Sequence, residues 1–115
     1  MRIIPNQFTL DTLKLIKNIP KGKVLTYGRI AKLAGNPRAA RQISWILHSS
    51  TRKYKLPWHR VINSKGQISL KQLDDKNYQK ALLEKEGIYF QKKFELDLDT
   101  YMWNLKSIEE IENID

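Results

Sequence analysis

The stretch TYGRIAKLAGNPRAAR, residues 26–41, decides the fold of this chain. Its first half has apolar residues at helical spacing behind Thr26, whose hydroxyl can cap a helix by accepting a backbone N–H, so it predicts a short helix. Gly35-Asn36 predicts a tight turn, and Pro37 suits the first position of a following helix that should run to about His48. Two short helices joined by a glycine turn are typical of a helix-turn-helix DNA-binding unit.

Outward from this stretch, hydrophobic spacing predicts further short elements. A helix from about Thr9 to Asn18 comes first, followed by the two helices above, of which the first ends at Leu33 or Ala34. A polar basic loop at residues 49–57 then leads to a hairpin that pairs Arg60–Asn63 with Gln67–Ser69. A helix capped by Asp74 or Asp75 runs through Glu86 with Tyr78, Leu82 and Leu83 buried, and an extended segment follows from Ile88 to Leu96. Gly87 closes the last helix. The predicted fold class is mainly α with a small β-hairpin, a winged-helix-like or helix-turn-helix DNA-binding domain.

The length of 115 residues predicts one domain. We assign residues 1–106 to it and 107–115 to an acidic C-terminal tail, either a short docked helix or a frayed end. The sequence has no cysteine, which excludes disulfides and a thiol nucleophile and fits a reducing compartment. No apolar run is long enough to span a bilayer, so we expect a cytoplasmic protein with no membrane partner, nucleoid-associated if bacterial and nuclear if eukaryotic.

The charge is unevenly distributed along the chain. The formal net charge is +9, and residues 12–73 contain many Lys and Arg but no Asp or Glu. A basic half followed by a part that contains the acidic residues predicts that one face of the protein binds a polyanion such as nucleic acid. This binding should weaken as the salt concentration rises. The alternative is a solvated basic surface that binds ribosomes or acidic lipid without specificity.

The residues give little support to catalysis. His48 and His59 are the only histidines, and the neighbourhood of His59 offers no serine or threonine for a hydrolytic triad. Two histidines without cysteine give no zinc spacing, and no glycine-rich phosphate loop is present, so we expect no metal and no cofactor. An isolated histidine such as His59 is more often a hydrogen-bonded structural residue than a base.

Two long motifs carry a resemblance to a known family. Residues 26–41, followed by PWHRVINSKG at 57–66, resemble the C-terminal domain of the O6-alkylguanine-DNA alkyltransferases. That family has Pro-Cys-His-Arg-Val in the second motif, and its cysteine accepts the alkyl group. Here Trp58 occupies the cysteine position, as in the alkyltransferase-like proteins. The ending ELDLDTYMW, residues 95–103, is similar to the close of that subgroup.

The resemblance implies roles for residues at a DNA interface. Tyr27 matches the tyrosine that turns the phosphate beside the target and drives the nucleotide from the stack. Arg41 matches the arginine that replaces the extruded base. The third helix would then lie in the minor groove, with Ala40, Gln42 and Ser44 as further DNA-binding residues. Spacing alone favours a different interpretation, in which Arg38 and Arg41 only contact phosphates and the helix-turn-helix reads sequence in the major groove.

The resemblance also implies a lesion pocket without a nucleophile. Trp58 would form a wall where the thiol lies in the transferases, Tyr27 and Val61 would line the pocket, and Lys71 occupies a position that is often arginine in the subgroup. His59 and Glu86 match the transferase proton relay and are interpreted here as its structural remnant. No alkyl transfer is expected, because tryptophan has no comparably reactive heteroatom.

The implied function is non-enzymatic recognition of O6-alkylguanine in double-stranded DNA, by a monomer that flips the lesion and flags it for nucleotide excision repair. Two alternatives from other classes stay open. A sequence-reading regulator would prefer particular undamaged duplexes. An enzyme using His59, Glu86 and water would remove the damaged base. Trp45 also departs from the family, in which a glycine is common, so it either fills core or alters the fit of the helix to DNA.

Overall fold

Residues 6–113 are described by a computed structural model of this protein, and they form short helices joined by small two-stranded sheets. The elements are α1 (Gln7–Lys17), β1 (Leu25–Thr26), α2 (Tyr27–Leu33), α3 (Ala40–Tyr54), a 3-10 turn (Trp58–Arg60), β2 (Val61–Ile62), α4 (Leu73–Lys85), β3 (Phe90–Lys92), β4 (Glu95–Leu96), α5 (Leu98–Tyr101) and a C-terminal 3-10 helix (Ile108–Asn113). The predicted fold class, mainly α with a small hairpin, is confirmed. No helix among residues 6–113 is long and apolar enough to cross a membrane.

The first two helices begin at side-chain caps. The Asn6 side chain accepts from the backbone N–H of Thr9 at 2.9 Å, which starts α1 two residues before the predicted Thr9. The hydroxyl of Thr26 accepts from the backbone N–H of Arg29 at 3.0 Å, as predicted for the start of α2. Each cap satisfies one of the backbone donors that a helix N-terminus leaves without an intrahelical partner.

The turn between α2 and α3 differs from the prediction at Pro37. Gly35 ends α2 with a φ of +102°, a conformation that glycine adopts without strain. Asn36 then accepts hydrogen bonds from two backbone N–H groups. The Asn36 side chain accepts from Arg38, and the Asn36 carbonyl accepts from Ala39. Pro37 therefore lies inside a β-turn, and α3 begins only at Ala40.

The third helix is longer than predicted, because the run 49–57 is helical as far as Tyr54. Its polar side chains bond back to the preceding turn: Ser49 donates to the carbonyl of Ile46 and Thr51 to that of Leu47. Polarity here belongs to the solvent face of an amphipathic helix and not to a loop.

Of the hairpin predicted at residues 60–69 the structure keeps only the turn, where the backbone N–H of Asn63 donates to the carbonyl of Gln67 at 3.2 Å, and the predicted strand pairing is wrong. Val61–Ile62 pairs in parallel with Leu25–Thr26, and Gln67 instead forms an antiparallel bridge to Glu95. The hairpin of the fold is β3–β4, within the segment predicted only as extended. Gly66 meets this sheet so closely that a Cβ there would lie 2.5 Å from the carbonyl oxygen of Leu96.

Two clusters of buried apolar residues form the core. The larger joins α1, α2, α3 and β1 and includes Leu15, Ile30 and Ile43, each fully buried. The smaller lies under α4 and the β3–β4 hairpin, around Leu83 and Leu96. The part of the C-terminal tail that the structure describes, residues 107–113, is docked: Ile111 is 5% exposed and belongs to the larger cluster.

The fourth helix begins at Leu73 with Gln72 as its cap residue, so neither Asp74 nor Asp75 caps it. Its buried side also differs from the prediction, because Tyr78 is exposed and Gln79 is 3% exposed. The Gln79 side chain donates to the carbonyl oxygens of His59 and Val61 at 3.0 and 3.1 Å. A buried amide with two such bonds is well compensated, and it fixes the PWHRV segment against α4.

Candidate nucleic-acid interface

Four of the five predicted DNA-contacting residues lie together on α3, and the fifth, Tyr27, begins α2. Arg41, Gln42 and Ser44 are exposed, and Ala40 is half-buried at the first position of the helix. The helix has no acidic residue in its first turn, and its exposed face continues through His48 to Arg52. This arrangement gives one helix face with cations at both ends and small polar residues between them, which suits close approach to a nucleic-acid backbone.

Trp45 is exposed on the same face of α3. Its side chain keeps 67% of its surface accessible, and its ring lies 6.4 Å from that of His48. Of the two possibilities for this departure from the family, core filling is therefore wrong. An exposed tryptophan is a large apolar surface that is available for contact with a partner.

A cleft of about 480 Å³ opens beside α3. It is lined by Tyr27, Ser44, Leu47, His48, Thr51, Trp58, Leu70, Asp75 and Tyr78. The volume lies in the range of small-molecule sites, and the walls are largely aromatic and aliphatic with a few polar groups. A flat heteroaromatic ring is the kind of ligand that such walls fit.

Aromatic side chains from three elements meet in the cleft. Trp58, in the 3-10 turn, has its ring 6.0 Å from that of Tyr78 on α4, with the planes tilted by 37°. Tyr27, at the start of α2, is half-buried, and this burial raises the pKa of its hydroxyl although a hydrogen bond with Ser69 partly opposes the effect. The Tyr27 hydroxyl therefore stays protonated and can donate a hydrogen bond at neutral pH.

Two residues predicted to line the lesion pocket are not among those that line this cleft. Val61 is 1% exposed and packs in the larger core cluster, because it belongs to the buried strand β2. Lys71 is exposed, and the neighbouring Leu70 lines the cleft instead. A contact between Lys71 and a bound base stays a prediction.

Several cleft residues were absent from the predicted site. On α3, Leu47, His48 and Thr51 follow Ser44 at helical spacing, a signal that was lost because the helix was predicted to end at about His48. On α4, Asp75 and Tyr78 are three residues apart, and Tyr78 was predicted to be core. Helical spacing alone does not say which face of α4 meets solvent.

His59 and Glu86 form the centre of a hydrogen-bond network behind Trp58. His59 Nε2 is 2.9 Å from Glu86 Oε2, and Arg60 Nη2 is 2.6 Å from the same oxygen. The backbone N–H of Gly22 donates to Glu86 Oε1 at 3.3 Å, and Arg60 Nη1 donates to the carbonyl of Ile19 at 2.8 Å. The network joins the end of α4, the 3-10 turn and the segment after α1.

The charge state of Glu86 follows from this network. Burial by itself raises the pKa of a carboxyl group, but the hydrogen bonds from Arg60, His59 and Gly22 outweigh it and lower the pKa of Glu86 to about 2. Glu86 is thus a carboxylate under all physiological conditions. Within residues 6–113, no group of three or more His, Cys, Asp or Glu side chains could hold a metal ion.

A helix-turn-helix unit with a base-sized aromatic cleft beside its second helix, and no thiol in the chain, defines a DNA-binding protein of the alkyltransferase type without the transferase nucleophile. The sequence profile of the 6-O-methylguanine DNA methyltransferase DNA-binding domain matches residues 7–88. The chain belongs to this family, in its alkyltransferase-like branch. Because it has no cysteine, it is not a protein-cysteine methyltransferase.

Named relatives support this assignment. A DNA base-flipping protein of Escherichia coli is 45% identical over 99 residues, which cover 86% of this chain and 76% of the relative. Alkyltransferase-like protein 1 of Schizosaccharomyces pombe is 37% identical over 103 residues, 85% of this chain and 95% of that protein. The crystal structure of the latter with damaged DNA containing O6-carboxymethylguanine matches with a TM-score of 0.77 and 36% identity, covering 91% of this chain and 100% of that one.

Proposed function

We propose that this protein binds duplex DNA through the exposed face of α3, flips an O6-alkylguanine out of the helix and holds it in the cleft without transferring the alkyl group. The observation that carries the proposal is the position of Trp58. It lines an aromatic cleft directly beside the helix that presents Arg41. The names of the relatives above support the same action.

The energetics of capture follow from the two surfaces. Flipping costs a few kcal/mol of unstacking and unpairing, and less for a damaged pair. Arg41 would fill the space of the extruded base, as wedge side chains do in DNA-bending proteins. Trp58, Tyr78 and Tyr27 would gain contact with the base in the cleft, and the net charge of +9 would supply affinity for the phosphates.

The alkyl group stays on the base because the cleft has no thiol and none of its hydroxyl groups is activated by a base. Hydroxyl groups line it on Ser44, Thr51, Tyr27 and Tyr78, and that of Thr51 is already bonded to the carbonyl of Leu47. A hydroxyl needs an adjacent base to react. His48 and Asp75 are the candidate bases in the cleft, and among the described residues neither is hydrogen-bonded to one of these hydroxyl groups.

The experiment is a binding comparison between a duplex with one O6-methylguanine and its unmodified twin at physiological salt, followed by analysis of the recovered DNA. We expect about tenfold preference for the lesion, with the alkyl group and the base intact. Equal affinity for both duplexes would contradict the lesion pocket. Loss of the alkyl group or of the base would contradict a non-enzymatic role, and strong preference among undamaged sequences would favour a regulator.

A matched variant connects the result to the cleft. Trp58→Ala should remove most of the preference for the lesion, because it deletes one aromatic wall of the cleft. Stacking of a flipped base on such a wall contributes about 1–3 kcal/mol. Affinity for the unmodified twin should change little, since α3 and the basic surface are untouched. A proportional loss on both duplexes would mean that Trp58 acts on the fold and not on the base.

We further propose that the monomeric protein leaves a persistent complex that flags the site for nucleotide excision repair. The resemblance to the alkyltransferase-like proteins supports this hand-off, that is, the transfer of the lesion to excision repair. A separate repair pathway is required because the chain itself leaves the lesion in place. Expression of the protein should protect cells from an alkylating agent only where excision repair is functional. Equal protection in excision-deficient cells would contradict the hand-off.

A further inference from the structure

The cleft differs in charge from the rest of the protein. The chain has a formal net charge of +9, yet no lysine or arginine is among the residues that line the cleft. Asp75, in the first turn of α4, is the only carboxylate among them. An aspartate is negatively charged at neutral pH, so the lining of the cleft has the opposite sign to the net charge of the chain.

Among the described residues, the basic side chains nearest to Asp75 in sequence form no salt bridge with it. The ammonium of Lys76 lies 5.4 Å from the centre of the Phe94 ring and is thus directed towards the β3–β4 hairpin. Lys71 is exposed and does not line the cleft. In the described part of the chain Asp75 takes part in no salt bridge.

We propose that Asp75 makes this protein select O6-alkylguanines with an uncharged alkyl group and disfavour those with an anionic one. This inference rests on the proposed function, in which the lesion occupies the cleft. O6-carboxymethylguanine, the lesion in the complex of the Schizosaccharomyces pombe relative, brings a carboxylate. Inside a cleft of about 480 Å³, that carboxylate would lie near the exposed carboxylate of Asp75. Repulsion between the two like charges would lower affinity by about threefold to tenfold.

Two neighbouring aspartates supply a matched pair of variants. Asp74 and Asp75 are both exposed in the first turn of α4, so Asp→Asn at either position makes the same change in net charge and in the helix terminus. Only Asp75 lines the cleft. Asp75→Asn should therefore change lesion choice, and Asp74→Asn should not.

The test measures affinity for three duplexes that differ at one position, which holds guanine, O6-methylguanine or O6-carboxymethylguanine. The wild-type protein should bind the methyl duplex about threefold to tenfold more tightly than the carboxymethyl duplex. Asp75→Asn should bring the two affinities together by strengthening carboxymethyl binding, whereas Asp74→Asn and Asp75→Glu should keep the wild-type ratio.

Three results would overturn the inference. Equal wild-type affinity for the two lesions would mean that Asp75 does not sense the alkyl group. A ratio unchanged in Asp75→Asn would have the same meaning, and a ratio lost equally in Asp74→Asn would show a general charge effect. Failure of the proposed function gives a different pattern, namely no preference for O6-methylguanine over guanine in the wild-type protein.

Discussion

His59 Nε2 lies 2.9 Å from Glu86 Oε2, yet neither residue lines the cleft that Trp58 borders. Arg60 holds the same carboxylate, and Gly22 donates to its other oxygen. Glu86 is thus committed to partners from the segment after α1 and from the 3-10 turn. We infer that the pair braces the turn that presents Trp58 and does not serve as an acid–base couple for the cleft.

Glu86→Gln should lower the free energy of unfolding at neutral pH, and the difference from wild type should shrink in acid. The pKa of Glu86 is about 2 in the folded protein, against an ordinary value of 4.5. A carboxyl with a lowered folded-state pKa contributes its stability fully above the unfolded value, and that contribution is lost as pH falls from about 4.5 through about 2. The contribution amounts to at most about 3 kcal/mol. Denaturant unfolding across this range measures it.

Glu84→Gln is the control for this prediction, because Glu84 is exposed on the same helix. Its unfolding free energy should follow the wild-type value within about 0.5 kcal/mol at every pH. If the loss of unfolding free energy in Glu86→Gln stayed constant down to pH 2, the shape of the Glu86 side chain, and not its ionised carboxylate, would account for the stabilisation.

Arg41→Ala should weaken binding to lesion-containing DNA by about tenfold, because the space left by the flipped base loses its filling side chain. Arg52→Ala removes an equal charge from the exposed last turn of the same helix and should cost about threefold at most. Equilibrium titration of both variants with the O6-methylguanine duplex measures the difference. Equal losses would reduce Arg41 to a phosphate contact.

Trp45→Ala should weaken binding to damaged and undamaged duplexes by a similar factor of about fivefold. Trp45 is 67% exposed on the face of α3 that carries Arg41, so its large apolar ring would become buried whenever this face meets DNA, damaged or not. Tyr89→Ala is the control, since Tyr89 is 72% exposed and lies after α4. If both variants bound like wild type, α3 would not approach DNA through Trp45.

Ile111→Ala should destabilise the fold by about 2 kcal/mol, because it opens a cavity where the C-terminal 3-10 helix packs on the core. The exposed neighbour Lys106, changed to alanine, should leave unfolding unaffected. Below the melting range, both proteins should bind DNA as wild type does. A normal melting temperature for Ile111→Ala would show that this end contributes nothing to the core.

Local signals in the sequence predicted most of the helical fold. Thr26 caps α2 as expected, since its partner Arg29 is only three residues away. The errors arose where distant residues decide. Val61–Ile62 pairs with Leu25–Thr26 across the chain, and alternation within a strand does not reveal its partner.

The sequence by itself determined the DNA-binding helix-turn-helix, the basic half of the chain and the replacement of a reactive cysteine by Trp58, because spacing, charge and side-chain chemistry are properties of the chain. Only the tertiary structure decided which side chains share the cleft. Val61 is buried while Tyr78 and Asp75 face the cleft, because the packing of α4 against the PWHRV segment through Gln79 sets which face of each element meets solvent.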